Sequence, residues 1–262
     1  MSVTLPSAAV RLVPAASLHV SKPTWWLESR FHFSFADYWD PERMHFGALR
    51  VMNDDLVKPR AGFGRHPHRH AEIFSYILQG NLSHADSMGS SEALPRGCVQ
   101  YMSAGRGVTH SEMNDHDETC RFIQVWLTPD TTAPGYGEPK YGSTRYTKAD
   151  RHNQLLHMLS GTGPSPAWHS VNGGMAPIRL HQDGNVFVSE SDAGAAYELQ
   201  LAARRQAYIL CMEGSMRVNS DQLQARDAAK LKGADDSATL LKLSTAEGAH
   251  FMVIEMAKSD DQ

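Results

Sequence analysis

Residues 65–83 read RHPHRHAEIFSYILQGNLS. Alternating histidines precede an apolar run, and a polar residue and Gly80 end that run before a second apolar segment begins. The stretch Ile209–Arg217, ILCMEGSMR, repeats the same order around Gly214, half a chain away. We interpret each glycine as a hairpin turn between two strands. The repeat therefore predicts two similar β domains in tandem.

The rest of the chain carries the same strand signal. Short apolar runs, most of them of period two, are separated by Gly, Pro, Asp and Asn, and they fall at 48–52, 73–78, 99–102, 122–127, 185–190, 207–212 and 251–256. Such spacing is typical of an all-β sandwich or barrel. The best helix candidate, Lys148–Ser160, is short. A Pro-, Gly- and Tyr-rich linker at Thr128–Thr147 completes an all-β prediction of two β-barrels, residues 1–135 and 136–262, with few short helices.

Composition excludes several classes of protein. The 262 residues include 25 Lys+Arg and 29 Asp+Glu, a net charge of −4, whereas nucleic-acid-binding domains are usually basic. The three cysteines lie far apart without a C-x-x-C pair, which favours a reducing compartment. We find no signal-peptide core and no apolar run long enough to span a membrane. These features predict a soluble, cytoplasmic protein that binds neither nucleic acid nor membrane.

The histidines indicate a metal site. His66 and His68 share one face of a strand, and His110 and Glu112 repeat that spacing on a later strand. Three imidazoles and a carboxylate facing one barrel interior suit a divalent transition metal. Spacing leaves two points open: Glu72 has the same parity as His66 and competes with Glu112, and His70 is a fifth ligand, a residue that tunes the site, or a solvent-exposed residue.

These residues also carry a family resemblance. The pattern His66-x-His68-x₃-Glu72-x₇-Gly80, followed by Gly107-x₂-His110-x₃-Asn114, resembles the two motifs of the cupin superfamily. Segments 29–38, 46–55, 64–69 and 100–113 are similar to pirin and the bacterial pirin-like quercetinases. The resemblance implies a jelly-roll bicupin whose N-terminal barrel holds one metal, usually Fe(II), while its C-terminal barrel has no metal ligands. It assigns the metal to His66, His68, His110 and Glu112, and leaves His169, His181 and His250 as ordinary histidines. Mn, Co, Ni, Cu or Zn can occupy the same set of ligands.

The activity implied by the resemblance is quercetin 2,3-dioxygenation, in which a flavonol and O₂ give a depside and CO. Glu112 is then the candidate general base for the flavonol hydroxyl. Candidate pocket or core residues are Phe31, Phe33, Phe35, Phe46 and Met52. Polar residues expected to support the imidazoles are Gln100, Asn53 and Asp54, although Asn53–Asp55 also resembles a turn.

Two other functions compete with this one. Pirin itself suggests an iron-dependent, redox-sensing regulatory protein that acts through a protein partner. A cupin with sugar-isomerase or purely structural duties is the third possibility, and the intact set of histidines argues against its metal-free form, because burying such groups without a partner is costly. We expect a monomer, because two barrels fused in one chain can pack against each other.

Overall fold

The computed structural model describes residues 5–164, 166, 168 and 176–259. These residues form β-strands almost throughout, with short 3₁₀ turns at Ala15–Ser17 and Pro41–Arg43. The first strands are β1 (Ala9–Val13), β2 (His19–Thr24), β3 (Leu27–Phe31), β4 (Leu49–Val57), β5 (Ala61–His68), β6 (Glu72–Gln79), β7 (Asn81–Asp86), β8 (Ser91–Pro95), β9 (Val99–Ser103), β10 (Val108–Asn114), β11 (Cys120–Leu127) and β12 (Lys140–Thr144). The remaining strands are β13 (Leu156–Ser160), β14 (Ile178–Arg179), β15 (Gly184–Ser191), β16 (Ala195–Leu201), β17 (Arg205–Val218), β18 (Asp221–Gln224), β19 (Ala228–Lys232), β20 (Thr239–Thr245) and β21 (Ala249–Ala257). The all-β, two-barrel prediction is confirmed.

The predicted helix at Lys148–Ser160 is wrong. Its first half forms turns, and its second half is β13, buried at every position. A segment of five residues that is buried at every position has no periodicity that separates a strand from a short helix.

The chain divides into two compact units. The N-terminal unit comprises Leu18–Thr147 together with Leu180–Gln182. The C-terminal unit comprises the described residues up to Ser17, Lys148–Arg179 and those from Asp183 onward. A domain division at residue 135 stays a prediction.

The N-terminal unit has two antiparallel sheets. One has the order β12-β9-β6-β11-β4-β3-β2, and the other has the order β5-β10-β7-β8. Strand β10 alternates between buried and half-buried positions, so His110, Glu112 and Asn114 point inward. A buried apolar cluster fills one part of this interior, comprising Leu27, Val57, Ile77, Leu82, Leu94, Cys98, Cys120 and Phe122.

Gly80 lies at a corner of the barrel. Strand β6 before it pairs with β9 and β11, whereas β7 after it pairs with β8 and β10 in the other sheet. The expected hairpin is therefore wrong, because these consecutive strands do not pair with each other. The bend uses a φ of 68°, and an added Cβ would lie 2.9 Å from the carbonyl oxygen of Thr119. Glycine is needed here for its left-handed conformation and its lack of a side chain.

The C-terminal unit repeats this device within a single strand. Strand β17 pairs with β21 and β19 along its first part and with β18 and β20 beyond Gly214. Gly214 has a φ of 76°, and an added Cβ would lie 2.2 Å from the carbonyl oxygen of Gly248. The sequence repeat is real, but it marks two places where the chain bends and takes new strand partners, not two hairpins.

Candidate metal centre

Three histidines converge in the N-terminal unit. One ring nitrogen from each of His66, His68 and His110 lies within 4.8 Å of the others. His66 and His110 are direct partners across the β5–β10 ladder, and their Nε2 atoms are 3.1 Å apart. The predicted convergence of these three residues is present in the structure.

A β-bulge sets this geometry. Across the ladder, His110 pairs with His66 but Glu112 pairs with Phe63, so β5 contains one extra residue at Gly64–Arg65. The carbonyl oxygen of Gly64 accepts a hydrogen bond from His66 Nδ1 at 2.7 Å. That bond fixes the tautomer and leaves the lone pair of Nε2 directed at His110.

Burial keeps two of the imidazoles neutral. His110 is 1% exposed, and burial together with the neighbouring His66 and His84 lowers its pKa to about 3. Burial, then His110 and His66, lower the pKa of His68 to about 4. Both rings therefore have a lone pair available near neutral pH, which is the form that ligates metals.

These residues fit a bound divalent metal. Two nitrogens bonded to one ion at ~2.1 Å and at right angles would be about 3 Å apart, close to the 3.1 Å observed. The donor set of neutral imidazoles suits first-row transition metals.

Glu112 lies beside this cluster. It is buried and lines the same cavity as His66 and His68. Its Oε1 accepts hydrogen bonds from Ser75 Oγ at 2.9 Å and Gln100 Nε2 at 2.5 Å, and its Oε2 accepts one from Gln124 Nε2 at 2.6 Å. The carboxylate is thus held at both oxygens, and its role as fourth ligand stays a prediction.

Glu72 lies elsewhere. Its carboxylate accepts hydrogen bonds from Tyr101 Oη, Ser103 Oγ and the backbone N–H of His181. His70 has left-handed backbone (φ 51°), is exposed, and has its Nδ1 2.7 Å from the hydroxyl of Tyr136. Neither residue belongs to the imidazole cluster. Parity counting failed because β5 ends at His68 and β6 starts at Glu72.

Other expectations had mixed outcomes. Gln100 supports the site, but through Glu112 and not through an imidazole. Asn53 lines the cavity, whereas the Asp54 carboxylate forms an ion pair with Arg121 at 2.7 Å. Asn53 and Asp54 both lie within β4, so the alternative of a turn is wrong. Phe31 and Phe35 line the cavity, while Phe33, Phe46 and Met52 are buried core residues outside its lining.

Two of the three histidines expected to be ordinary surface or core residues are buried, each beside a carboxylate. His181 is buried against Glu72, with its Nδ1 3.4 Å from the carboxylate, and His250 Nδ1 lies 3.3 Å from Glu213. His169 lies outside the described residues.

Sequence reasoning missed several supporting residues. Ser75 and Gln124 hold Glu112, and His84 lies with its ring centroid 5.3 Å from that of His110. His84 Nε2 is 3.0 Å from Asp86 Oδ2. A signal was present, since Leu82, His84 and Asp86 alternate along one face of β7.

Comparison with known proteins agrees with this architecture. Residues 15–127 match the family model described as Pirin, and residues 169–256 match the one described as Quercetinase C-terminal cupin domain. The chain is 36% identical to the Pirin-like protein of Caulobacter vibrioides over 88% of this chain and 93% of that one. The chain belongs to the pirin family. The pirin resemblance predicted from the sequence is thus confirmed.

Other pirin-family relatives are similarly close. The chain is 34% identical to the Quercetin 2,3-dioxygenase of Escherichia coli K12 over 77% of this chain and 81% of that one. The crystal structure of YhhW from Escherichia coli superposes with a TM-score of 0.83 at 29% identity, over 97% of this chain and 100% of that one. A second YhhW structure, described as a bacterial pirin in complex with nickel(II), gives a TM-score of 0.81 at 28% identity, over 96% and 100%.

No helix in the described part of the chain combines the length and the hydropathy required to cross a bilayer.

Proposed function

We propose that this pirin-family protein is a metal-dependent dioxygenase of the quercetin 2,3-dioxygenase type, which converts a flavonol and O₂ to a depside and CO. The observation that carries the proposal is the convergence of His66, His68 and His110 beside a cavity of about 350 Å³, which His66 and His68 help to line. Phe31, Phe35, Phe63 and Trp126 line the same cavity. The relative named Quercetin 2,3-dioxygenase supports the activity, and the nickel(II) complex of YhhW supports a bound divalent metal.

The proposed ligands are the three histidines with Glu112 as the fourth, and the proposed metal is Fe(II). A divalent metal bound there would lower the pKa of a flavonol 3-hydroxyl in contact with it and would bring flavonol and O₂ together.

The chain's own residues supply the remaining requirements. Glu112 is the proposed general base, and Oε2 is the oxygen that takes the proton, because it accepts one hydrogen bond from the described residues where Oε1 accepts two. The aromatic walls orient a flat substrate and exclude water from the reacting atoms. Gln100, Gln124 and Ser75 keep the base in place.

We also propose that the protein acts as a cytoplasmic monomer without direct nucleic-acid contacts. The net charge of −4 supports the last point.

The test is anaerobic reconstitution with Fe(II), followed by quercetin and air, with flavonol absorbance and CO measured together. Wild type should turn over, and His110→Ala and Glu112→Gln should each lose activity. His152→Ala is the matched control, since this histidine is part exposed and pairs with Asp192 in the C-terminal unit. Absence of turnover with every first-row metal, despite one bound equivalent, would overturn the proposal and favour a metal-sensing regulatory role.

A further inference from the structure

The cavity beside the histidines has polar groups on two facing sheets. His66, His68 and Glu112 belong to β5 and β10, whereas Asn53, Asp55 and Ser29 belong to β4 and β3 of the seven-stranded sheet. The mechanism proposed above uses the first group and leaves the second without a role.

The second group is deeply buried. Asn53 is 1% exposed and Asp55 is 2% exposed, and alternation along β4 places both on the face that lines the cavity. Burying an amide and a carboxyl group is costly unless they have hydrogen-bond partners. A purely structural role would be expected to satisfy both.

The hydrogen bonds of the Asn53 and Asp55 side chains are not all formed. Ser29, the register partner of Asp55 on β3, donates its hydroxyl to Asp55 Oδ1, and the described residues provide the Asp55 carboxyl with no other hydrogen bond. Asn53 Oδ1 is buried without a partner in the described part of the chain. Two polar side chains that line one cavity thus have hydrogen-bonding capacity to spare.

Their chemistry selects for a neutral group. Burial, together with the nearby Asp54 and Glu112, raises the pKa of Asp55 to about 8, despite the opposing hydrogen bond from Ser29. A protonated carboxyl can donate a hydrogen bond while the amide oxygen of Asn53 accepts one. A phenolic hydroxyl, which both donates and accepts, complements this pair, whereas a carboxylate does not.

We propose that Asn53 and Asp55, with Ser29, form a second polar anchor that binds a hydroxyl of the substrate distant from the one at the histidines. This inference rests on the proposed function, because it takes the cavity to be the flavonol site. It narrows the substrate class to polyhydroxylated aromatic enols. Binding sites built to pair with a hydroxyl discriminate strongly against analogues that lack it, because the buried polar groups are then left unpaired.

The experiment measures binding without turnover. Protein loaded with Zn(II), which has no redox chemistry, is titrated anaerobically with quercetin and with 3-hydroxyflavone, which has the same chelating group but no other hydroxyl. Wild type should bind quercetin at least tenfold more tightly. Asn53→Leu should reduce that preference to less than about threefold, while leaving 3-hydroxyflavone binding and one equivalent of zinc unchanged.

Two further variants make the test specific. Asp55→Leu, also close in size and apolar, should reproduce the loss and replaces the first variant if that one does not fold. Phe35→Leu changes an aromatic wall of the cavity and should weaken both ligands equally, so the preference stays.

Equal affinities in wild type, or a preference that survives both apolar substitutions, overturns the anchor whether or not the Fe(II) protein releases CO. Failure of the zinc protein to bind either flavonol overturns the anchor and the flavonol site together. CO release is measured separately, so loss of the anchor and loss of the dioxygenase reaction are told apart.

Discussion

The Nε2 atoms of His66 and His110 face each other at 3.1 Å. His66 Nδ1 donates to a carbonyl oxygen, so its Nε2 has a lone pair and His110 must provide either a proton or a shared cation at this contact. The contact therefore links metal content to the tautomer of His110: without a metal Nε2 carries the proton, and with a metal it must give that proton up.

The first prediction concerns acid stability without metal. Unfolded imidazoles take up protons near pH 6.5, whereas in the folded protein His68 does so at about 4 and His110 at about 3. Between these values the unfolded chain binds more protons, so the free energy of unfolding falls as pH drops from about 6.5 to about 4. Urea denaturation of the metal-free protein should show this fall, and His110→Asn should show a smaller one. Equal slopes for the two proteins would contradict the prediction.

The second prediction separates two buried carboxylates. Glu72 is 0% exposed and accepts three hydrogen bonds remote from the imidazoles. Glu72→Gln should cost about 2–3 kcal/mol of stability and leave metal content at one equivalent, because it removes charged acceptors from buried donors. Glu112→Gln should instead abolish turnover. Metal analysis and chemical denaturation of both variants distinguish the roles, and metal loss in Glu72→Gln would show the assignment to be wrong.

The third prediction concerns the residue that holds the proposed base. Gln124 Nε2 donates to Glu112 Oε2 at 2.6 Å. Gln124→Leu should lower metal affinity or activity by roughly 10- to 100-fold, the range found for groups that orient a metal ligand. Gln206→Leu is a matched control, because Gln206 is buried in the C-terminal unit and donates to the carbonyl oxygen of Ala257. Equal losses of metal affinity and activity in the two variants would show that Gln124 contributes only to packing.

The fourth prediction has the opposite pH dependence. Folded Asp55 binds its proton up to about pH 8, whereas an unfolded aspartate releases it near 3.9. The folded protein binds more protons in this interval, so Asp55 lowers stability as pH rises from about 4 to about 8, by at most about 1.4 kcal/mol per pH unit. Asp55→Asn should be relatively more stable at pH 8 than at pH 5 by thermal denaturation. The same difference in melting temperature between Asp55→Asn and wild type at both pH values would contradict this prediction.

The sequence allowed the strands and the histidine cluster to be predicted because alternation is a local property. Inward-facing apolar residues and the pairs His66/His68 and His110/Glu112 all follow the period of two. The position of Glu72 was not predictable in this way. Counting along the chain assumes one unbroken strand, whereas β5 ends at His68 and β6 starts at Glu72.

The environment of the site required long-range pairing. Ser75 and Gln124 are as ordinary in sequence as any polar residue in a strand, and the antiparallel register of β6 and β11 brings them opposite each other. Gly80 and Gly214 were correctly singled out, but a glycine at a corner between sheets and one in a hairpin have the same local sequence.

Strand β5 lies at the edge of its sheet, with β10 as its strand partner. An ion bound by His66, His68 and His110 would cross-link this edge strand to its neighbour. Removing the ion should accelerate amide hydrogen exchange around residues 64–68 and leave the centre of β6, paired on both sides, as slow as before. Amide protection of this one edge strand would thus report whether the metal is bound.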